Sequence, residues 1–545
     1  MHEIQLTNEK HGHTLNATQI FSPDGKWLVF DTRNDDTHIS RTESICKLNI
    51  ATKEIVELYK TKNQSIYGPG VGAAAWNPVN DSIIFIHGLL NCNKEKSYSF
   101  TRRFGAIISG NHEAGENAKI GVLQQCHHAE GRNIQEPLSK GALRGGTHAH
   151  TWSADGKWIS FTYNDYLMEC LEKTSSSEKK DLRTIGVMTM VENIHKDHEA
   201  GENAEIGVRQ QCYHAEGRSI QEPFSKGALR GGTHAHTWSA DGKWISFTYN
   251  DYLMEYLEKN PVSERKDLRT IGVMTMIENI HEDHEAGENA ENFRGTYFAV
   301  ITAQVTENPK FRSDEIERAF DECWLGKNGY TKEDGSQQIR AIAFQGNVRS
   351  ADGTLVTEVF IADIPNDITQ SLAGKPLEGN LSTRPNVPAG FTQRRITFTT
   401  DRKHPGLQGP RFRLRSSADG SLIYFLMKDD NGIVQIYSVS SAENTKNTIT
   451  TQSLKQITDF KYSVQSQFNL SPDDKYISVV SNNQIYLVKV QDGSTTSIGE
   501  RYSEREAPIN GVHWSPGGKS LIYNRYVFIK DDYYIQIFQR LIPSV

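Results

Sequence analysis

Cysteine is scarce in this chain, with six residues among 545. Cys126 and Cys212 hold the same place in a repeated segment, whereas Cys170 is matched there by Tyr256. A position replaced so freely is not an obligatory disulfide partner, and no C-x-x-C pair offers thiolates to zinc. Excess positive charge is also absent: 60 Lys and Arg face 67 Asp and Glu, for a net charge of −7 and a pI near 6.3. The basic runs are short, and even Gln393-Arg394-Arg395 sits beside strand-forming residues, so nucleic acid is not an expected partner. No apolar stretch is long enough to span a bilayer, so no membrane partner is expected. The start, MHEIQLTNEKHGHT, lacks the basic segment and apolar run of a signal peptide. At face value the chain is soluble and cytoplasmic; a leader lost upstream of Met1 would make it periplasmic or secreted. Helical periodicity is sparse. Its best stretch is SDEIERAFDECW from Ser313, with a serine N-cap and early acids, followed by the shorter YLMECLEK from Tyr166.

What the chain has is repetition. An 86-residue block, His112 to Asp197, recurs at once as His198 to Asp283 with twelve differences, and a third start, HEAGENAE, opens at His284. A shorter motif recurs more widely: an apolar residue, Ser or Asn, Pro or Ala, Asp, Gly, a charge, then an alternating apolar run. It reads FSPDGKWLVFD at Phe21, WNPVNDSIIFIHG at Trp76, and WSADGKWISFTYN at Trp152 and again at Trp238. It returns as SSADGSLIYFLM at Ser416, LSPDDKYISVV at Leu470 and WSPGGKSLIYN at Trp514. Asp-Gly and Pro-Asp supply the turn, and the period-2 runs supply half-buried strands. Four-stranded units repeated at this spacing predict an all-β fold, a β-propeller in one domain over 1–545. Blades are expected near 16–57, 72–108 and 295–365, with the last three starting near Arg395, Lys455 and Pro508. Each 86-residue block should hold one blade and a long loop, for seven blades plus a duplicated one, eight in all. EIQLT near the N-terminus should supply the outer strand of the last blade and remove an exposed edge. Trp76, Trp152, Trp238 and Trp514 read as inter-blade packing. The second copy should either enter a widened ring, at some strain, or hang outside it.

The SPDG-type hairpins and the ITF and QIT strand starts resemble the TolB-type propeller class. Four longer segments, GALRGGTHAHTWSADGKWISFTYND, SDEIERAFDECWLG, QRRITFTTDRKHPGL and FLMKDDNGIVQIY, resemble the YidR-like family of bacterial propellers. They are spread over nearly the whole chain. The duplicated block departs from what that family leads one to expect. The resemblance implies the propeller fold and no settled reaction, so function has to be argued from the site.

The densest polar cluster is RGGTHAHTW followed by FTYND, present twice. Residues just ahead of each turn fall on the innermost strand of a blade, where propellers bind ligands. Strand alternation puts His148 and His150 on one face, and likewise His234 and His236. Imidazole suits a general base, and Tyr163 or Tyr249 could protonate a leaving group. Arg144, Arg230, Arg411, Gln467 and Asn510 complete the ligand-binding candidates, the guanidinium groups suiting a carboxylate or sulfate. The set is what a polysaccharide lyase on a uronate-containing glycan needs, and it resembles propeller lyases in residue type only. The leading reading is a propeller that binds a ligand at a polar His/Arg/Tyr channel mouth with no established reaction; such a lyase, on an ulvan- or pectin-like glycan, and a protein-interaction scaffold are the alternatives. Paired histidines on an inner strand also commonly hydrogen-bond neighbouring blades. No cofactor and no metal ligand is expected, with a divalent metal as the alternative; the expected partner is a small molecule or glycan, or else a protein. RGG reads equally as a positive-φ turn or as an anion cradle. Asp429-Asp430-Asn431-Gly432 reads as a β-turn, because the acid a calcium loop needs is replaced by Ser440. HEAGENAE and HKDHEAGEN read as solvated loop.

Overall fold

The computed structural model describes residues 2–35, 37–108, 126–128, 143–166, 183–189, 212–219, 223–251, 268–277, 292–293, 295–410, 414–442 and 454–542. The HEAGENAE segments and YLMECLEK lie outside them. Helix among the described residues is confined to two single turns, Ile39–Arg41 and Glu504–Glu506. None of their helices is long and apolar enough to cross a membrane. The strands build eight antiparallel blade sheets, so the fold is an all-β propeller of eight blades. The chain divides into two compact units.

The first unit, residues 1–177, 182–214 and 502–545, holds four blades. Blade 1 comprises Trp27–Asp31, Ser44–Asn49 and Ile55–Lys60, with Phe21 bridged to Leu28 on its inner side. Blade 2 comprises Val71–Trp76, Ile83–Gly88, Arg103–Ile108 and Cys126–His128. Blade 3 comprises Gly146–Trp152, Trp158–Asn164, Arg183–Thr189 and Cys212–His214. Blade 8 comprises Ile509–Trp514, Ser520–Ile529 and Asp532–Leu541, completed by Glu3–Gln5 paired to Phe538–Arg540. The expected N-terminal closure is therefore present.

The second unit, residues 178–181 and 215–501, holds blades 4 to 7. Blade 4 comprises Gly232–Trp238, Trp244–Asn250, Thr270–Met276 and Tyr297–Ile301. Blade 5 comprises Ala319–Trp324, Ala341–Arg349, Leu355–Asp363 and Thr392–Arg395. Blades 6 and 7 run from Arg415 to Gln456 and from Asn469 to Ile498.

Three expectations need correcting. Ser313 does not start a helix: Ala319–Trp324 is the inner strand of blade 5, and Trp324 takes the place of the blade tryptophan, its indole donating to the Thr237 carbonyl of blade 4 at 3.1 Å. Tertiary packing overrides the local helical pattern. The segments taken as blade starts near 295, Arg395 and Lys455 are outer strands of the preceding blades 4, 5 and 6. The 86-residue block is out of phase with the blades. Each copy gives its CHH or CYH strand to the blade before it and its GTHAHTW, WISFTYN and TIGVMT strands to the blade that follows.

The turn motif works as its chemistry suggests. Ser22 Oγ donates to Asp24 at 2.7 Å and accepts from the Trp27 amide, while Asp24 caps the Lys26 amide. The same arrangement recurs at Ser153, Ser239 and Ser471. The fourth position needs positive φ: Gly25, Gly156 and Gly242 supply it, and Asp474 adopts φ 57° there. Middle strands such as Trp158–Asn164 are buried almost throughout because both faces of a blade are covered. Trp152 shows how: it is buried and donates to the Ala75 carbonyl of blade 2.

Candidate functional site

Each copy of the polar cluster folds into the same local knot. In blade 3 the Arg144 amide donates to the Tyr163 hydroxyl at 3.2 Å, the Tyr163 hydroxyl donates to Asp165, and the Arg144 guanidinium pairs with Asp165 at 2.9 Å. In blade 4 the Arg230 amide donates to Tyr249 and its guanidinium pairs with Asp251 at 2.7 Å. Burial, reinforced by the neighbouring aspartate, holds both phenols well above the ordinary range, so they stay protonated at neutral pH. Neither glycine of RGG takes positive φ. Gly145 and Gly231 are needed because a Cβ would lie 1.8 Å from the carbonyl oxygen of Asn164 or Asn250.

The histidine pairs do not share a face. Ala149 and Ala235 adopt φ of 55° and 50°, and the inner strands bulge there. Thr162 opposes His148 and Ser160 opposes Thr151, so two residues face one and the alternation breaks. His148 is half-buried beside Asn164 and the Phe100 ring. His150 is buried, bonded to Thr147 at 2.9 Å, and packs onto Gly105 of blade 2 so closely that a Cβ there would lie 2.5 Å from its Nε2. In blade 4 His234 is half-buried and His236 buried. Gln467 is buried just ahead of blade 7, and Asn510 lies on the inner strand of blade 8 with φ 60°. Arg411 lies outside the described residues.

The second unit contains a cavity of about 270 Å³ beside the blade 4 knot. Tyr249, Asp251, Leu268 and Thr270 of blade 4 form one wall, Ile301 to Val305 another, and Thr383 to Asn386 the third. That last wall belongs to the long loop between Asp363 and Thr392 of blade 5. Arg230 clasps the loop: Nη1 donates to the Asn380 carbonyl at 2.6 Å and Nη2 to the Thr383 carbonyl at 3.0 Å. Asn386 fastens its far end through the Pro376 carbonyl. Arg230, expected to bind ligand, is thus buried and engaged by the protein. The guanidinium in the cavity wall is that of Arg384, which is largely buried. It makes one long hydrogen bond, 3.4 Å to the Leu268 carbonyl, and Glu307 stands 4.0 Å away. Its buried Nη2 has no hydrogen-bond partner among the described residues. Burial pushes the Arg384 pKa down, against the pull of Asp251 and Glu307, and the group remains a cation. Among the described residues no histidine lines the cavity. The sequence reading missed Arg384; its one signal was an Arg-Pro step in an unusually long polar loop, where function concentrates.

The model of a family described as "protein of unknown function (DUF3748)" matches at residues 70–204 and again at 196–289. The uncharacterized protein YidR of Escherichia coli (strain K12) is 27% identical over 522 residues, 95% of this chain and 94% of YidR. The YidR-like resemblance is borne out. Among solved structures, an oligogalacturonate lyase in complex with manganese is 10% identical over 99% of this chain and 93% of its own, with a TM-score of 0.38. The oligogalacturonate lyase of Vibrio parahaemolyticus gives 10%, 99%, 93% and 0.35, and a putative TolB from Agrobacterium tumefaciens gives 13%, 73%, 91% and 0.28. These scores are low, and the eight-blade fold rests on the sheets themselves.

Proposed function

We propose that this YidR-like propeller binds a small acidic ligand, of the carboxylate or uronate class, in the blade 4 cavity against Arg384. The observation that carries the reading is the under-used guanidinium in the wall of a formed cavity. Arg230 and Asp251 pair at 2.7 Å, and the cation that lines the space among the described residues is Arg384, with half-exposed Glu307 at 4.0 Å. A planar guanidinium with free donors suits a carboxylate held bidentately. Tyr249, kept protonated, offers a donor to a hydroxyl or ring oxygen, and Leu268, Ile301 and Val305 give the apolar surface that small-ligand pockets carry. The volume sits near the lower end of such pockets, suited to one or two sugar units. A lyase would also require a base, and the described cavity wall offers no imidazole.

Calorimetric titration with galacturonate and glucuronate oligomers, and with their neutral counterparts, tests the reading. Binding of the acidic members alone, weakened at least about 10-fold by Arg384→Gln, is expected, since a charge-assisted pair contributes about 1.5–3 kcal/mol. Equal binding by the Arg384→Gln variant would sink it. Ultraviolet absorbance from an unsaturated product in the same samples would add a lyase reaction to the binding.

A further inference from the structure

The segment that leads from Glu3–Gln5 into blade 1 reads Glu9-Lys-His-Gly-His13, and its three ligating side chains meet. Gly12 makes this possible. A Cβ there would lie 1.7 Å from the Arg33 carbonyl oxygen, so the chain runs flat against blade 1 and His11 and His13 turn the same way. Their rings stack with centroids 4.4 Å apart. Both Nε2 atoms point at one carboxylate oxygen of Glu9, at 2.8 and 3.2 Å. The backbone is fixed from the other side by blade 8: the His13 amide donates to the Ile535 carbonyl, and the buried Gln536 side chain donates to the carbonyls of Glu9 and His11.

We infer that Glu9, His11 and His13 bind a divalent transition-metal ion, of which zinc is the natural probe. Ligand atoms on a tetrahedron with metal bonds of about 2.0–2.1 Å lie about 3.3 Å apart, close to the separations here. The His11 Nδ1 donates to the Gly12 carbonyl at 3.1 Å, the type of contact that fixes the tautomer and leaves Nε2 with its lone pair. Two imidazoles and one carboxylate suit zinc, copper or nickel rather than calcium or magnesium. Three protein ligands leave a fourth position for water. Glu9 and His11 are about half exposed, which gives an ion access, while His13 is fully buried. The ion would pin the N-terminal segment where blades 1 and 8 share it. The competing arrangement is a hydrogen-bonded cluster in which Glu9 accepts from both rings and no ion binds.

The untagged full chain, stripped with a chelator, is titrated with zinc chloride by calorimetry beside His11→Ala and Glu9→Gln. Both variants change half-exposed side chains, so folding is retained and is checked by circular dichroism. The wild type is expected to hold one ion per chain that both variants bind at least about 10-fold more weakly. Its melting temperature should rise with zinc, as theirs should not. The chain has 19 histidines, and weak sites elsewhere cancel in the difference. Isotherms and melting curves that coincide for all three proteins would overturn the assignment and leave the hydrogen-bonded cluster.

Discussion

Glu3 anchors the N-terminal strand to blade 8 through polar and charged partners. Its carboxylate accepts from the hydroxyls of Tyr502 and Tyr523 and pairs with Arg525 at 2.9 Å. Burial pushes its pKa up, but the two phenol hydrogen bonds and the Arg525 charge outweigh burial and leave it below the ordinary glutamate value of 4.5. A carboxyl lowered in the folded state stabilises the fold above its unfolded pKa and loses that stabilisation as pH falls through the folded one. Amide protection factors at Glu3–Gln5, corrected for the intrinsic pH dependence of exchange, should therefore be high at neutral pH and should fall below about pH 4.5. Glu3→Gln should exchange faster at neutral pH and lose the acid dependence. A strand protected equally at pH 3 and pH 7 would show that the tyrosine and arginine contacts do not hold it. The same scale separates Arg230, beside the cavity, from Arg384 in its wall. Arg230 is matched by a carboxylate and two carbonyls and shapes the loop, whereas Arg384 is left with donors to offer.

The inner strands carry a device that alternation does not reveal. Ala73, Ala149, Ala235 and Asp321 all adopt φ near +50°, each three residues before the tryptophan of its blade. Each lies where the register with the second strand shifts. A left-handed alanine costs about 1–2 kcal/mol, partly offset in any glycine replacement by the entropy of the unfolded chain. Ala235→Gly is expected to raise stability by about 0.5–1 kcal/mol and Ala235→Val to lower it by more than that, as read from urea unfolding midpoints. A glycine variant less stable than the parent would mean that the alanine methyl packs better than its backbone suffers. The propeller class was legible in the sequence because turn chemistry is local: Ser-x-Asp-Gly fixes a hairpin whatever surrounds it. The phase of the blades was not, since ITF and QIT look alike as a first or a fourth strand, and only pairing decides. DECW was misread because its strand character comes from the neighbours of Trp324. At the site, RGG and TYND were found as a cluster, but the bulge parted the histidines and the clasp by Arg230 depends on a loop about 150 residues away in sequence, as for Asn380. Arg384 gave only an Arg-Pro step in a long polar loop.

Over the whole molecule, the phase of the duplicated block decides what its removal would do. Cys126–His128 closes blade 2, Cys212–His214 closes blade 3, and Tyr297–Ile301 closes blade 4. Each copy thus brings one outer strand for its predecessor and three strands for its successor, so an excision of one full copy removes four blade strands without leaving a blade edge open. Deleting residues 198–283 joins Asp197 to His284. Blade 3 then loses Cys212–His214 and meets Tyr297–Ile301 in its place. Its third strand can accept that partner, because TIGVMT from Thr184 is identical to TIGVMT from Thr270, which pairs with Tyr297–Ile301 in blade 4. The pairing Gly272 to Ile301 would pass to Gly186 with every side chain on the same face. An eighth blade also asks contacts built without a matching duplication to repack, at a cost of about 1–3 kcal/mol for each poor fit. The deletion variant is therefore expected to fold as seven blades and to melt above the full chain. Excision of 146–189 alone is the contrasting case. It removes three strands but leaves Cys126–His128 and Cys212–His214 competing for the edge of blade 2, so one stays unpaired and aggregation follows. Thermal melts and size-exclusion profiles of the two deletions read the difference. If the 198–283 deletion aggregates while the 146–189 deletion folds, the blades are not interchangeable in the phase assigned here, and the second copy is integral to the fold.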